Sequence, residues 1–181
     1  MIDMFSGLGG ASEAFIRDGE WNVFRFDNNQ LLEDVKNTII TDHMFERMGE
    51  IFNNFEDLDL IWASPPCLDF STAFNAPKSK KARGEKGFEN WKQDFTLIKN
   101  TIDMIRRLKP KFWVIENVRG SIKDLDFPFI QVHPSFKKNK SDGDTWSSDP
   151  LRANKRAKIP YEISMGLKIA IEEQRTLLEW V

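Results

Sequence analysis

The groups best suited to chemistry in this chain are a thiol, several carboxylates and a glycine-rich turn. The sequence holds one cysteine, Cys67, directly after Ser64-Pro65-Pro66. Two prolines fix the backbone ahead of the thiol. A thiolate mounted there can add to an electron-poor carbon of a pyrimidine ring, and that addition makes the neighbouring carbon nucleophilic. Taken alone, a single thiol can instead be a small buried hydrophobe. The carboxyl of Glu116-Asn117-Val118 can hydrogen-bond a base edge and supply a proton to a ring nitrogen as the thiol adds. Alone, it is also an ordinary charged residue in a strand-to-loop turn. The turn Ser6-Gly7-Leu8-Gly9-Gly10 lets the backbone approach a ligand and opens a helix whose first amides face it. Asp27 follows about 20 residues later, where an acidic side chain can take both hydroxyls of a ribose. Turn and acid together point to a nucleoside-containing cofactor. Asp42 could accept the adenine amino group of that cofactor, or cap a surface helix.

These groups need elements to position them. A short apolar run over residues 2–5 predicts a buried strand stopped by the glycine turn. Helical character follows over 11–17, then a strand over 21–26 ending at Asp27 and a helical stretch over 31–37. A β-branched strand over 38–41 ends at Asp42, and a helix is expected over 44–55. A strand over 58–63 is closed by Ser64-Pro65-Pro66, and another over 112–115 ends at Glu116-Asn117. Residues 74–88 read as a basic, glycine-containing loop. Residues 89–108 carry Trp91, Phe95, Ile98, Ile102 and Ile105 at helical spacing, until Pro110 ends the helix. Alternating strands and helices predict an α/β fold with a mostly parallel sheet covered on both faces. Ligands of such sheets bind at the carboxyl ends of the strands. Every unusual residue named above falls at such an end.

The 181 residues are 40% hydrophobic and 30% charged, which fits a globular chain with a single core. No run approaches the roughly 20 apolar residues of a membrane helix, and no signal peptide is read at the start. A lone cysteine cannot form an internal disulfide, so a reducing, cytosolic setting is expected. His43 and His133 stand isolated with no second thiol, so no metal site is expected. The net charge is −2, but the positive residues cluster. Lys78, Lys80, Lys81, Arg83 and Lys86 form one group; Lys137, Lys138, Lys140, Arg152, Lys155, Arg156 and Lys158 form another. Phosphate contacts need local positive charge rather than a basic whole; the plain alternative is a pair of solvated loops. The organisation expected is one domain over 1–181: a core over 1–120, an irregular basic segment over 121–160 and a C-terminal helix over 161–181.

Asp3 through Gly10, Pro66-Cys67 with Phe70-Ser71, and Glu116-Asn117-Val118 resemble, in order, the first, fourth and sixth motifs of the cytosine-C5 DNA methyltransferases. The resemblance covers roughly residues 1–120, and residues 147–164 look like the C-terminal end of small phage and bacterial members, which returns to the cofactor. It implies a Rossmann-like, S-adenosylmethionine-dependent methyltransferase fold. Phe5, Ser6, Gly7, Leu8, Gly10 and Pro66 would line the S-adenosylmethionine site, Asp27 would hold its ribose and Asp42 its adenine. Cys67 would attack C6 of cytosine, C5 would take the methyl group, and Glu116 would contact N3 and the amino group. Ser71 and Asn117 would touch the substrate. That substrate would be double-stranded DNA with the target base out of the stack, and the loop over 68–88 would close over it. The chain would act in the cytoplasm of a bacterial, archaeal or phage-infected cell, as a monomer without metal or membrane. A partner chain is one source of target recognition.

The pattern also departs from the family. Leu68 stands where Gln is usual, and no Gln-x-Arg-x-Arg motif follows Glu116; Arg152 and Arg156 have the wrong spacing. The middle is too short for a full target-recognition domain, which fits a compact enzyme or a degenerate copy. Competing readings remain. An amino-methyltransferase is suggested by Ser64-Pro65-Pro66 but would have an aromatic at Cys67. A tRNA cytosine methyltransferase shares Pro-Pro-Cys, but its pattern ends in Thr where this chain has Ser71. A cofactor- or DNA-binding homologue without turnover, and an unrelated α/β binding module, complete the set.

Overall fold

The computed structural model describes residues 1–53, 55, 57–67, 70, 94–117, 149–151, 155 and 158–173. Five strands make one sheet: β1 (Ile2–Met4), β2 (Phe24–Asp27), β3 (Thr38–Ile40), β4 (Leu60–Ala63) and β5 (Phe112–Ile115). Their order is β3-β2-β1-β4-β5, and every neighbouring pair is parallel. Among the described residues the helices are α1 (Glu13–Asp18), α2 (Met44–Phe52), α3 (Thr96–Leu108) and α4 (Tyr161–Glu172), and Gln30–Leu32 forms a 3-10 turn. This is the α/β, Rossmann-like architecture expected from the alternation of elements.

The pleat sends alternate side chains to opposite faces. From β1, β2 and β4, Ile2, Met4, Phe26, Ile61 and Ala63 pack with Met44, Met48 and Phe52 of α2 and Met104, Ile105 and Leu108 of α3. On the other face Met1, Leu60 and Trp62 pack with Phe15 of α1 and Ile171 of α4. Burial on both faces is what a parallel sheet requires, and β1 and β4 are buried at every position. Helix α3 buries Ile98, Thr101, Ile102, Met104, Ile105 and Leu108, a stripe at spacings of three and four.

Several expected boundaries differ from those observed. The helical stretch over 31–37 is only the short 3-10 turn. Asn37 adopts φ 62°, a left-handed conformation that stops a helix, and the Lys36 and Asn37 carbonyls accept hydrogen bonds from Arg25 instead. Helix α3 begins at Thr96, where the Asp94 carboxylate accepts the Thr96 amide at 2.8 Å; residues 89–93 of the expected helix lie outside the described residues. The second strand starts at Phe24 rather than 21, and the helix expected over 44–55 stops at Phe52. The loop over 74–88, residues 118–148 and the end of the C-terminal helix lie outside the described residues.

Candidate active site

Strands β1 and β4 are neighbours although β2 and β3 lie between them in sequence. The chain leaves such a pair in opposite directions, which opens a crevice at their carboxyl ends. The glycine turn follows β1 and the Pro-Pro-Cys segment follows β4, so the expected cofactor groups and the thiol flank one crevice.

The turn is built from left-handed residues: Phe5 has φ 56°, Gly7 52° and Gly9 71°. Phe5, half-buried, sets its ring edge-on to Phe45 at 6.3 Å. The Ser6 amide donates to the Phe26 carbonyl at 3.0 Å and the Gly9 amide to the Ser6 carbonyl at 2.8 Å. Asp27 receives the Gly7 amide on Oδ2 at 2.8 Å and the Asn29 amide on Oδ1 at 2.9 Å. Both oxygens are oriented by backbone donors, and each keeps capacity for a further donor such as a sugar hydroxyl. Among the described residues, Ser6 Oγ and Thr38 Oγ1 are buried without a hydrogen-bond partner, and Ser6 is the one on the glycine turn. Native structures rarely leave a buried hydroxyl in that state. A polar ligand group seated on the turn would satisfy it, and on this observation Ser6 and Asp27 fit a nucleoside-containing cofactor.

Gly9 and Gly10 have reasons internal to the chain. A Cβ at Gly9 would overlap the Arg25 guanidinium, and one at Gly10 would overlap the Ile159 backbone. Asp42 is exposed just past β3, and the Thr41 amide ties that end to the Asp27 carbonyl at 2.9 Å. The helix after it has His43 as N-cap with no side-chain cap hydrogen bond, so capping does not account for Asp42.

Beneath the turn sits a buried polar relay that the sequence reading missed. Arg25 Nε donates to Ser12 Oγ at 2.8 Å, and Ser12 Oγ donates to Asp3 Oδ2 at 2.5 Å. Burial raises the Asp3 pKa from 3.8 to about 7, against the lowering effects of the Ser12 hydroxyl and the Arg25 charge. Burial likewise lowers the pKa of Arg25. The available signal was a charged Arg25 set between Phe24 and Phe26 in an apolar strand.

The thiol segment is fixed at several points. The Ser64 amide donates to the Met4 carbonyl at 3.1 Å, tying the end of β4 to β1. Asn117 Nδ2 donates to the Pro65 carbonyl at 2.9 Å, and the Phe70 amide to the Cys67 carbonyl at 3.0 Å. Phe70 is buried against Ile98 and Ile102 of α3. Pro66 and Cys67 are exposed between these anchors. The Glu116 amide donates to the Ala63 carbonyl at 2.8 Å, so Glu116 leaves β5 where Ser64 leaves β4. An exposed thiol on a braced backbone, with a carboxyl at the next strand end, can attack a planar base while that carboxyl holds the base edge. Asn117, expected to touch substrate, gives its amide to the thiol segment.

The far end of the chain returns to the turn. Ser164 Oγ donates to the Ala11 carbonyl at 2.6 Å and accepts the Ala14 amide at 3.1 Å. Lys158 pairs with Glu13 at 2.8 Å and holds that carboxyl below its usual range; Lys155 pairs with Asp149 at 2.6 Å. Ser71, Arg152, Arg156 and the clusters at 78–86 and 137–140 lie outside the described residues. Among the described residues no helix is long and apolar enough to cross a membrane.

Comparison with known proteins agrees with this geometry. Type II methyltransferase M.NgoBI of Neisseria gonorrhoeae is 28% identical over 119 residues, which cover 65% of this chain and 34% of that protein. The chain therefore spans about a third of the length of this relative. The profile of the C-5 cytosine-specific DNA methylases matches residues 1–127, which include the glycine turn, Asp27, Cys67 and Glu116. With the parallel sheet and these groups at its carboxyl edge, the chain belongs to the C-5 cytosine-specific DNA methylase family.

Proposed function

We propose that this protein transfers a methyl group from S-adenosylmethionine to C5 of cytosine in double-stranded DNA. The observation that carries this reading is the exposed Cys67 thiol on its anchored Pro-Pro mount, at the edge of the sheet that also holds the glycine turn. Phe5, Ser6, Gly7, Leu8, Gly10 and Pro66 would line the cofactor pocket, with Asp27 on the ribose and Asp42 on the adenine. When bound, S-adenosylmethionine supplies an electrophilic methyl group.

The chain's own residues do the rest. The Cys67 thiolate forms a bond to C6, and the electron pair of the 5,6 double bond becomes available at C5. Glu116 holds N3 and the amino group and gives N3 a proton, which offsets the charge that builds on the ring. After methylation the C5 proton leaves to a base, the 5,6 double bond re-forms as the thiolate departs, and N3 returns its proton to Glu116. The target base must leave the duplex to reach the thiol, and Ser71 belongs to the segment that would meet it. We read the chain as a monomer, with sequence recognition supplied by a partner chain or by residues beyond the matched region.

The test is incubation with methyl-labelled S-adenosylmethionine and mixed-sequence duplex DNA, with Cys67→Ala alongside. Label recovered as 5-methylcytosine with the wild type alone is expected, and the variant should bind cofactor as the wild type does. Turnover retained by Cys67→Ala would rule out the nucleophile; no label despite cofactor binding would favour a homologue that has lost turnover.

A further inference from the structure

Arg25 is a charged residue in the wrong surroundings for one. It lies on β2 between Phe24 and Phe26, only 5% exposed, on the α1 side of the sheet. Burying a guanidinium is costly unless its donors are all put to use. Here they reach three separate segments. Nη2 donates to the Gly9 carbonyl at 2.7 Å, Nε to Ser12 Oγ at 2.8 Å and Nη1 to the Lys36 carbonyl at 3.0 Å. Ser12 passes the connection on to Asp3 of β1. One planar fork thus ties β1, the glycine turn and the start of α1, which lie beside the crevice, to the connection into β3.

The turn needs such support. Phe5, Gly7 and Gly9 are all left-handed, and the Gly7 amide must stay aimed at Asp27. The turn and Arg25 are also matched in shape, because any side chain at Gly9 would displace the guanidinium. A loop held in its binding conformation before the ligand arrives loses less entropy on binding. We infer that Arg25 and Ser12 are positioning residues that hold the glycine turn in its cofactor-binding shape. This inference rests on the proposal that the turn binds S-adenosylmethionine. Arg25 and Ser12 touch no cofactor themselves; they act through Gly9, Gly7 and Asp3.

The test compares the wild type with Ser12→Ala, Arg25→Lys, Asp27→Ala and Leu108→Ala, the last of these a core variant in α3 remote from the turn. Three quantities are measured below the unfolding midpoint of every variant: the dissociation constant for S-adenosylmethionine, the amide exchange rates at Gly7 and Gly9 without cofactor, and the midpoint itself. Ser12→Ala and Arg25→Lys should weaken binding about 5- to 30-fold, the factor that corresponds to about 1–2 kcal/mol. They should also speed exchange at Gly7 and Gly9. Lysine keeps the charge but cannot serve three acceptors in one plane. Leu108→Ala should lower the midpoint and leave both other readings at wild-type values. If Arg25→Lys does not fold, Ser12→Ala decides the matter. Binding and exchange within twofold of wild type in Ser12→Ala would overturn the inference while leaving the cofactor reading intact. A wild type that does not bind would overturn the cofactor reading; an Asp27→Ala that binds as well as wild type would remove the ribose role and the placement of the cofactor on the turn; either result takes the inference with it.

Discussion

At the residue scale, the carboxylates at the site differ in what surrounds them. Asp27 is held by two backbone amides and keeps acceptor capacity toward the crevice. Asp27→Ala should weaken S-adenosylmethionine binding by about 1.5–3 kcal/mol, the range for hydrogen bonds to a charged group. Calorimetric titration measures this, and an unchanged dissociation constant would remove the ribose role. Asp3 is buried and inaccessible to any ligand. Its pKa rises from 3.8 to about 7 on folding, so between these values the native state keeps a proton that the unfolded chain releases. Its contribution to stability therefore falls as the pH rises through that window and levels off above it. Asp3→Asn should flatten the corresponding part of the melting-midpoint profile between about pH 4 and pH 7; identical slopes in the two proteins would contradict the burial-driven shift. The placement of Cys67, Glu116 and Asp27 at strand ends was legible in the sequence because each strand is a short apolar run that stops at them or just before them. The relay through Arg25, Ser12 and Asp3 was not, because it joins two strands and a helix start by contacts that no periodicity announces.

At the element scale, the alternation of strands and helices was readable because each strand is a short apolar run that ends at a turn or a polar group. The lengths were less so. The stretch over 31–37 is apolar enough for a helix, yet its carbonyls at Lys36 and Asn37 are claimed by Arg25 across the chain. The break from a helix is marked instead by three-residue hydrogen-bond spacing over 29–35 and by the left-handed Asn37. The docking of α4 on α1 was foreshadowed by the resemblance of the C-terminal end, but the means of docking was not. Ser164 is fully buried and bonds both Ala11 and Ala14. Lys168, also buried, pairs with Asp18 and Glu172, and Glu172 accepts Trp21 Nε1 at 2.6 Å. Ser164→Ala leaves a buried carbonyl and a buried amide without their partner and should cost about 1–3 kcal/mol in urea unfolding. A change below about 0.5 kcal/mol, the usual range for a surface substitution, would mean that Ser164 adds nothing to the docking of α4.

At the scale of the whole molecule, one parallel sheet brings distant residues to a single edge. Gly7, Asp27, Cys67 and Glu116 are spread along the sequence, yet each lies at or just past the carboxyl end of a strand. The order β3-β2-β1-β4-β5 sets the cofactor turn and the thiol on either side of the same strand pair. Two layers of helices cover the faces and leave that edge for ligands. Because the groups proposed to hold the cofactor all come from this one sheet, the proposal predicts that the chain alone binds S-adenosylmethionine with a stoichiometry of one. The most direct measurement of the central claim uses duplex DNA that carries 5-fluorocytosine. Fluorine at C5 cannot leave as a cation, so the final elimination is blocked and the bond from sulfur to C6 persists. With S-adenosylmethionine present, a covalent protein–DNA complex should accumulate, and digestion should locate the link at Cys67. A link at another residue, or no complex under conditions where cofactor and DNA are both bound, would contradict the account.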